Sequence, residues 1–465
     1  MIRELIGERE GENYELHRKY LNPYFVRVLS IIGYDVVYVR GEGPWLYDRE
    51  GNRYLDFLSG YSVFNLGRNH PVVKAALMEV LELDRPNLVQ MDCPLLAGIL
   101  AEKLVEVTQR AYPGLDAVFF TNSGTEAVEG ALKFARAATG RPRFLHLAHS
   151  FHGLTLGSLS VNGDAYFRDG FGELLPATAI PMNDLSALER ELRKGDVACF
   201  IAEPIQGKGV YVPDDEFLPE AQKLCRKHGA LFILDEVQTG FGRTGKFFCG
   251  EHWGLEPDIV TVAKTLSGGY IPVGAIVTRR EIHRKVFRNL ERAVVHSNTF
   301  GMNELAMAAG LAALKVIEEE RLVERAAEMG ARFMEGLKWL QEKYEMVADV
   351  RGKGLMLGIE FGPPSSLKLK AAWKGVEGVK RGLFAQLIVM GLMREHRLLT
   401  QVSAHGVNII KFLPPLVVGE EEIDYALEAL DHVLSEAHRF PGGIWGLAKD
   451  LVRGALGARA YPAPE

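Results

Sequence analysis

Residues 258–275 read DIVTVAKTLSGGYIPVGA. An apolar, largely β-branched run reaches Ala263, Lys264 follows, and Ser267, Gly268 and Gly269 make a small polar turn. Lysine is rarely placed in a buried strand, because an ammonium leaves water only at a cost. Desolvation there lowers the pKa and frees the amine as a nucleophile. A lysine that snorkels to the surface reads the same way in isolation.

Two stretches upstream share this plan. LFILDEVQTGFGRTG (231–245) releases Asp235 from an apolar run. A buried carboxylate needs a partner, and a protonated heteroaromatic nitrogen is one; a cap on the next turn is the plainer alternative. AVFFTNSGTEAVEGALKFA (117–135) passes from an apolar run through a polar turn into a helix starting near Thr125. Ser123, Gly124 and Thr125 can turn N–H and hydroxyl groups toward an anion at that helix N-terminus. An ordinary capped helix with Glu126 in its first turn would look alike. Open α/β sheets gather ligands at the carboxyl ends of their strands. A phosphate cradle, a carboxylate for a pyridine nitrogen and a carbonyl-condensing lysine are together what a pyridoxal-phosphate (PLP) enzyme requires.

Outward from these stretches, apolar runs alternate with helical segments from residue 116 to about 280: AVFF, RFLHLA, ACFIAE, LFILDEV and DIVTVA. Runs without polar alternation suit strands buried on both faces, and helical crossovers suit parallel pairing. The expected large domain is therefore α/β with a mainly parallel sheet. Residues 1–20 read as polar and helical. VVYVRGEGPWLYDREGNRYLDFLSG reads as short strands with turns at 41–44 and 48–52, and residues 71–110 as helices. ELAMAAGLAALKVIEEE and RLVERAAEMGARFMEGLKWLQEKY predict long helices. VADVRGKGLMLGIEF predicts strands, PPSSLKLKAAWKG a linker, and the remainder an α+β stretch. The expected division is an N-terminal segment over 1–70, serving the small domain and the substrate entrance, a cofactor-binding domain over 71–305, a small domain over 306–440 and an amphipathic tail over 441–465.

The bulk composition narrows the function. The chain has 465 residues, 47% of them hydrophobic, and a formal net charge of −6, which is ample for a large core and gives no reason to expect nucleic acid. No apolar run reaches the roughly 20 residues of a membrane span. Cys93, Cys199, Cys225 and Cys249 form no CxxC pair and have no nearby histidine at ligand spacing, so reduced thiols, no metal and a cytoplasmic location are expected. FPGGIWGLAKDLVRGALGARA places Ile444, Trp445, Leu447, Ala448, Leu451, Val452, Ala455 and Leu456 on one stripe, with Lys449 and Arg453 elsewhere on the wheel. That stripe suits packing on the chain's own or a partner's small domain, or a weak membrane or lipid contact.

From about residue 35 to 435 the sequence resembles the class III (ornithine, acetylornithine, putrescine and other ω-amine) aminotransferases of PLP fold type I. The resemblance is carried by YLDFLSGYSVFNLGRNHP (54–71), TNSGTEAVEGALKFAR (121–136), SFHG (150–153), AEPIQG (202–207), LDEVQTGFGRTG (234–245), PDIVTVAKTLSGG (257–269), NTFG (298–301), VRGKGLMLGIEF (350–361) and PPL (414–416). It implies the PLP-dependent transferase fold, with a seven-stranded-type sheet and a smaller α+β domain. It implies that Ser123, Gly124 and Thr125 bind the PLP phosphate, Phe151 and Val237 cover the two ring faces, and Asp235 pairs with the ring nitrogen. Gln238 would meet the ring hydroxyl, and Lys264 would form the Schiff base. Thr299 would reach the phosphate of a partner subunit, so a homodimer with shared sites is implied. His152 reads as a local hydrogen-bonding residue, Glu203 as a support behind the site and Arg243 as structural.

Three departures from the family pattern concern the substrate. Where ornithine-type members carry Glu directly after EPIQG and Arg three residues before the late PP pair, this chain has Lys208 and Lys411. Lysine is a point charge and cannot grip a carboxylate in a fork. TFGGNP is replaced by TFGMNE, with Met302 and Glu304. Tyr61 falls in the segment that lines the substrate entrance in ornithine-type members. The implied reaction is transfer of an amino group from an amine or amino-acid donor, of terminal or ω-amine type, to a keto acid such as 2-oxoglutarate or pyruvate. The alternatives are another PLP reaction on the same scaffold, aminomutase or lyase, or transamination of a large hydrophobic or lipid-like amine. A non-catalytic PLP-binding module is disfavoured by intact Lys264, Asp235 and Gln238.

Overall fold

The structure is a computed structural model that describes residues 1–439, 442–448 and 451. Seven strands form its central sheet: β1 (Ala117–Thr121), β2 (Arg143–Leu147), β3 (Ala177–Ile180), β4 (Val197–Ala202), β5 (Leu231–Asp235), β6 (Ile259–Val262) and β7 (Gly274–Thr278). Their order is β1-β7-β6-β5-β4-β2-β3. Neighbours from β6 through β5, β4 and β2 to β3 are parallel, whereas β7 is antiparallel to both β1 and β6. β4 is buried at all six positions, as befits a strand with helices on both faces. Reversal of β7 has a local consequence. Its first residue, Gly274, pairs with Thr121 at the end of β1, so the start of β7 lies among the strand ends that carry Ser123, Asp235 and Lys264.

The helix Gly124–Thr139 springs from β1. The Ser123 side chain caps it by accepting from the Glu126 N–H, and Gly140, in the left-handed region at φ 71°, ends it. Its apolar face packs on β7, β6 and β4. A second sheet is formed by Tyr38–Glu42, Trp45–Asp48 and Arg53–Asp56 and completed in parallel by Leu398–Leu399. A third sheet joins Val347–Lys353, Met356–Phe361, Ile409–Phe412 and Gln401–Val402, covered by the helices Leu322–Lys343 and Leu383–His396.

The structure corrects the sequence reading in places. The expected linker at 363–375 contains most of the helix Leu367–Val379, which buries Leu369, Trp373 and Val376. Its apolar stripe is interleaved with lysines and glycines that mask the period. A further helix, Pro23–Ile32, follows the polar N-terminal ones. β3 and β7 were not among the predicted runs. β3 is a four-residue edge strand with a half-buried pattern, and β7 follows the glycine-rich turn after Lys264 with little to mark its start.

Within the tail, residues 443–448 are helical. Ile444, Trp445 and Leu451 are buried, Leu447 and Ala448 pack against the core, and the Trp445 indole donates to the Ala437 carbonyl at 2.9 Å. The described part of the stripe is thus spent on the chain's own body. Lys449, Val452, Arg453, Ala455 and Leu456 lie outside the described residues. Among the described residues, no helix is long and apolar enough to cross a membrane.

Candidate active site

The ends of β1, β5 and β6 open into a cavity of about 570 Å³. Of the residues singled out from sequence, Tyr61, Ser123, Gly124, Thr125, Phe151, Lys208, Asp235, Val237, Gln238, Lys264 and Lys411 all line it. Thr299 does not. It sits exposed on the loop between Ser297 and Asn303, and one chain alone does not bring it to the cavity.

At the end of β1, Gly124 begins the helix close beneath Val237. A Cβ built there would meet the Val237 Cγ1 at 2.8 Å. Thr125 Oγ1 is held by Thr155 Oγ1 at 2.8 Å and Ser158 Oγ at 2.6 Å. Ser123, Gly124 and Thr125, the cap and first residues of a 16-residue helix, line the cavity at the positive end of the helix dipole.

At the end of β5, Asp235 is 4% exposed. Its Oδ2 lies 2.7 Å from His152 Nδ1. Its Oδ1 accepts from the Thr261 hydroxyl at 3.1 Å and from the Val237 N–H at 3.1 Å. His152 is itself pinned, its backbone N–H donating to Asn162 at 2.6 Å, while its Nε2 is buried with no partner. These donors hold the carboxylate in one orientation. The sequence reads His152 as a local hydrogen-bonding residue, whereas its ring meets Asp235, 83 positions away, a partner that nothing in the sequence names.

At the end of β6, Lys264 has φ 47°, a left-handed conformation that costs any residue with a Cβ energy and persists only where its surroundings impose it. Burial lowers its amine to a pKa of about 8; Asp235 and Glu203 oppose that fall and Lys208 adds to it. Glu203, just past β4, accepts from the Phe151 N–H at 2.8 Å and the Gly207 N–H at 2.7 Å. Burial pushes its carboxyl up. It thus fixes both the loop bearing Phe151 and the turn before Lys208.

The mouth is built from the far ends of the chain. Tyr61, at φ 63°, lies in a run from Ser59 to Ser62 that is left-handed throughout, and its hydroxyl donates to Gln401 Oε1 at 2.9 Å. Gln238 Nε2 donates to the Tyr61 carbonyl at 3.2 Å, whereas Gln238 Oε1 is buried with no partner. Lys208 Nζ lies 5.2 Å from the Phe151 ring centre and 5.1 Å from that of Phe167, and burial lowers its pKa. Lys411, 2% exposed, donates to the Gly207 carbonyl at 2.7 Å. Burial, then Lys208 and Lys264, drive its pKa well below the ordinary lysine value. Phe167, Tyr270 and Ile271 also line the cavity and carried no signal in the sequence. Arg243 is fully buried and donates to the Leu355 carbonyl at 2.9 Å, the Pro414 carbonyl at 2.5 Å and Asn65 Oδ1, as its structural reading requires.

These residues fit PLP. An orphaned carbonyl oxygen on Gln238 can take a ring hydroxyl, and an oriented anionic Asp235 can hold a proton on a ring nitrogen. A helix N-terminus can take a phosphate, and an amine lowered toward neutrality can condense with an aldehyde.

Comparison with known proteins gives the same picture. A family model described as aminotransferase class-III matches residues 31–434. The chain is 39% identical to an acetylornithine aminotransferase of Caldanaerobacter subterraneus subsp. tengcongensis, over 90% of this chain and 98% of that protein. It is 35% identical to the aminotransferase PigE of a Serratia species over 92% of this chain, but spans only 54% of that longer protein. Among solved structures, ornithine aminotransferase of Toxoplasma gondii, whose crystals had partial occupancy of PLP at the active site, is similar with a TM-score of 0.80. It is 30% identical, with 92% of this chain and 96% of that one covered.

Proposed function

The chain belongs to the class-III aminotransferase family and is a PLP-dependent aminotransferase, and from that premise we propose that it moves an amino group between a terminal or ω-amine donor and a keto acid such as 2-oxoglutarate or pyruvate. When bound, PLP supplies a carbonyl that condenses with amines and a ring that accepts an electron pair. The rest is the work of side chains. Ser123, Gly124 and Thr125, with the helix N-terminus, hold the phosphate. Phe151 and Val237 clamp the ring faces. Asp235, oriented by His152, keeps a proton on the ring nitrogen, and Gln238 Oε1 accepts from the ring hydroxyl. Lys264 Nζ anchors the cofactor and carries the proton that the substrate carbon loses and regains.

The observation that carries the keto-acid half is the pair Lys208 and Lys411 inside this cavity. Lys411 is buried and Lys208 partly so, and the two amines are close enough to depress Lys411 further. An entering carboxylate relieves that repulsion and draws both amines to the charged form. Each lysine offers a single charged contact and no fork. An amine donor must pass these two lysines, and the wall of Phe151, Phe167, Tyr270 and Ile271 favours one with an apolar body. The test is a panel of donors in single half-reactions, followed by cofactor absorbance, with 2-oxoglutarate and pyruvate as acceptors. Lys411→Ala should slow the 2-oxoglutarate half-reaction by about tenfold to a hundredfold, the worth of a charge-assisted bond. It should leave the half-reaction of a neutral-bodied amine near its starting rate. An unchanged 2-oxoglutarate half-reaction would place the carboxylate elsewhere.

The proposal includes a cytoplasmic homodimer, the division at 70, 305 and 440, and Thr299 serving the neighbour's phosphate. The loop that bears Thr299 supports the dimer: Leu290, Val294, Phe300 and Met302 on or beside it are large, apolar and exposed, as an uncovered subunit contact would be.

A further inference from the structure

Far along the sequence from the cavity residues of the central sheet, the helices Leu383–His396 and Glu420–Ala437 pack side by side. At the end of the first, Glu395 and His396 meet His432 of the second. His396 Nε2 lies 3.0 Å from His432 Nδ1, and that Nδ1 lies 3.4 Å from Glu395 Oε2. The three ligand atoms all fall within 4.8 Å of one another.

A neutral imidazole nitrogen either donates or accepts. If His432 Nδ1 accepts from His396, it turns a lone pair toward the Glu395 carboxylate. If it donates, its one N–H is shared between His396 Nε2 at 3.0 Å and the Glu395 carboxylate at 3.4 Å. A cation can instead accept all three lone pairs at once. The spacings suit one. Metal–nitrogen bonds of about 2.0–2.1 Å, opened by angles between octahedral and tetrahedral, set neighbouring donors about 2.9–3.4 Å apart. Two edges here, 3.0 and 3.4 Å, are of that size, and the third, within 4.8 Å, is wider. Two imidazoles and one carboxylate suit zinc, nickel or copper, whereas magnesium and calcium want oxygen donors.

We propose that Glu395, His396 and His432 form a surface site for a divalent transition cation of the zinc type, with its remaining positions open to water. His432 and Glu395 side chains are 54% and 42% exposed, so an ion can enter without unfolding. The ion would staple the end of one helix to its neighbour. Just beyond the site the chain runs through Leu398–Leu399, paired with Arg53–Asp56, to Gln401, which accepts from Tyr61 at the cavity mouth. The staple therefore anchors the root of a segment that reaches the substrate entrance.

Untagged holoenzyme, treated with a chelator and dialysed, is titrated with Zn²⁺ in a calorimeter, and its thermal midpoint is followed with and without the ion. The wild type should take up Zn²⁺ at this site and gain thermal stability from it. His432→Gln and Glu395→Gln, both at exposed positions, should each weaken that binding at least about tenfold and remove most of the shift. Co²⁺ should give visible ligand-field absorption in the wild type that His432→Gln loses. Wild-type Zn²⁺ affinity and thermal shift in both variants, or no uptake by the wild type, would overturn the assignment.

Discussion

Lys264 and Asp235 were legible in the sequence because each sets an ionisable group at the end of an otherwise apolar run, which demands a reason. What the sequence could not show is how each is tuned. The donors to Asp235 come from His152, Thr261 and the Val237 backbone, and only the fold brings His152 there. The amine of Lys264 is lowered by burial to about 8, and the sign of the effect is testable. Below that pH the amine is mostly charged and cannot attack an aldehyde, and the neutral fraction rises about tenfold per pH unit until it saturates above. Stripped of cofactor, the enzyme should therefore capture added PLP faster as pH climbs toward about 8 and level off beyond. Stopped-flow absorbance across this range measures it, and a flat profile would show that Lys264 is not the titrating nucleophile.

Elements with long unbroken patterns were read correctly, from β4 and β5 to the helix Leu322–Lys343. Those missed were short or masked: β3 lies at an edge, β7 follows glycines, and lysines hide the stripe of Leu367–Val379. The missed β7 bears on the site. A Cβ on Gly274 would lie 2.5 Å from the Ser123 carbonyl oxygen and 2.7 Å from Thr121 Oγ1, so the strand presses against the turn that starts the phosphate-facing helix. Gly274→Ala must push that turn aside, at about 1–3 kcal/mol for overpacking. We expect a lower melting temperature together with cofactor affinity weakened by about tenfold, read by thermal denaturation and PLP titration. Retention of both at wild-type levels would mean that the turn is softer than its contacts imply.

For the whole molecule, the large sheet and its attendant helices were foreseeable, whereas Thr299 marks where one chain's sequence and structure stop short. It lies outside the cavity of its own chain, on a loop rich in exposed apolar side chains. If it serves a neighbour, mixing inactive Lys264→Ala chains with chains impaired by Thr299→Ala should restore activity in mixed dimers, which hold one site with both residues intact. Verified subunit exchange without recovery would refute the shared site. The same long-range construction governs how the protein comes into being. The hydroxyl of Tyr61 closes the cavity mouth on Gln401, 340 positions later, and Arg53–Asp56 finds its parallel neighbour only at Leu398–Leu399. At about 5–20 residues per second a ribosome needs on the order of 20–70 s to bridge that gap. Throughout that interval the nascent N-terminal strands have an unpaired edge, open to pairing with another chain until Leu398–Leu399 emerges.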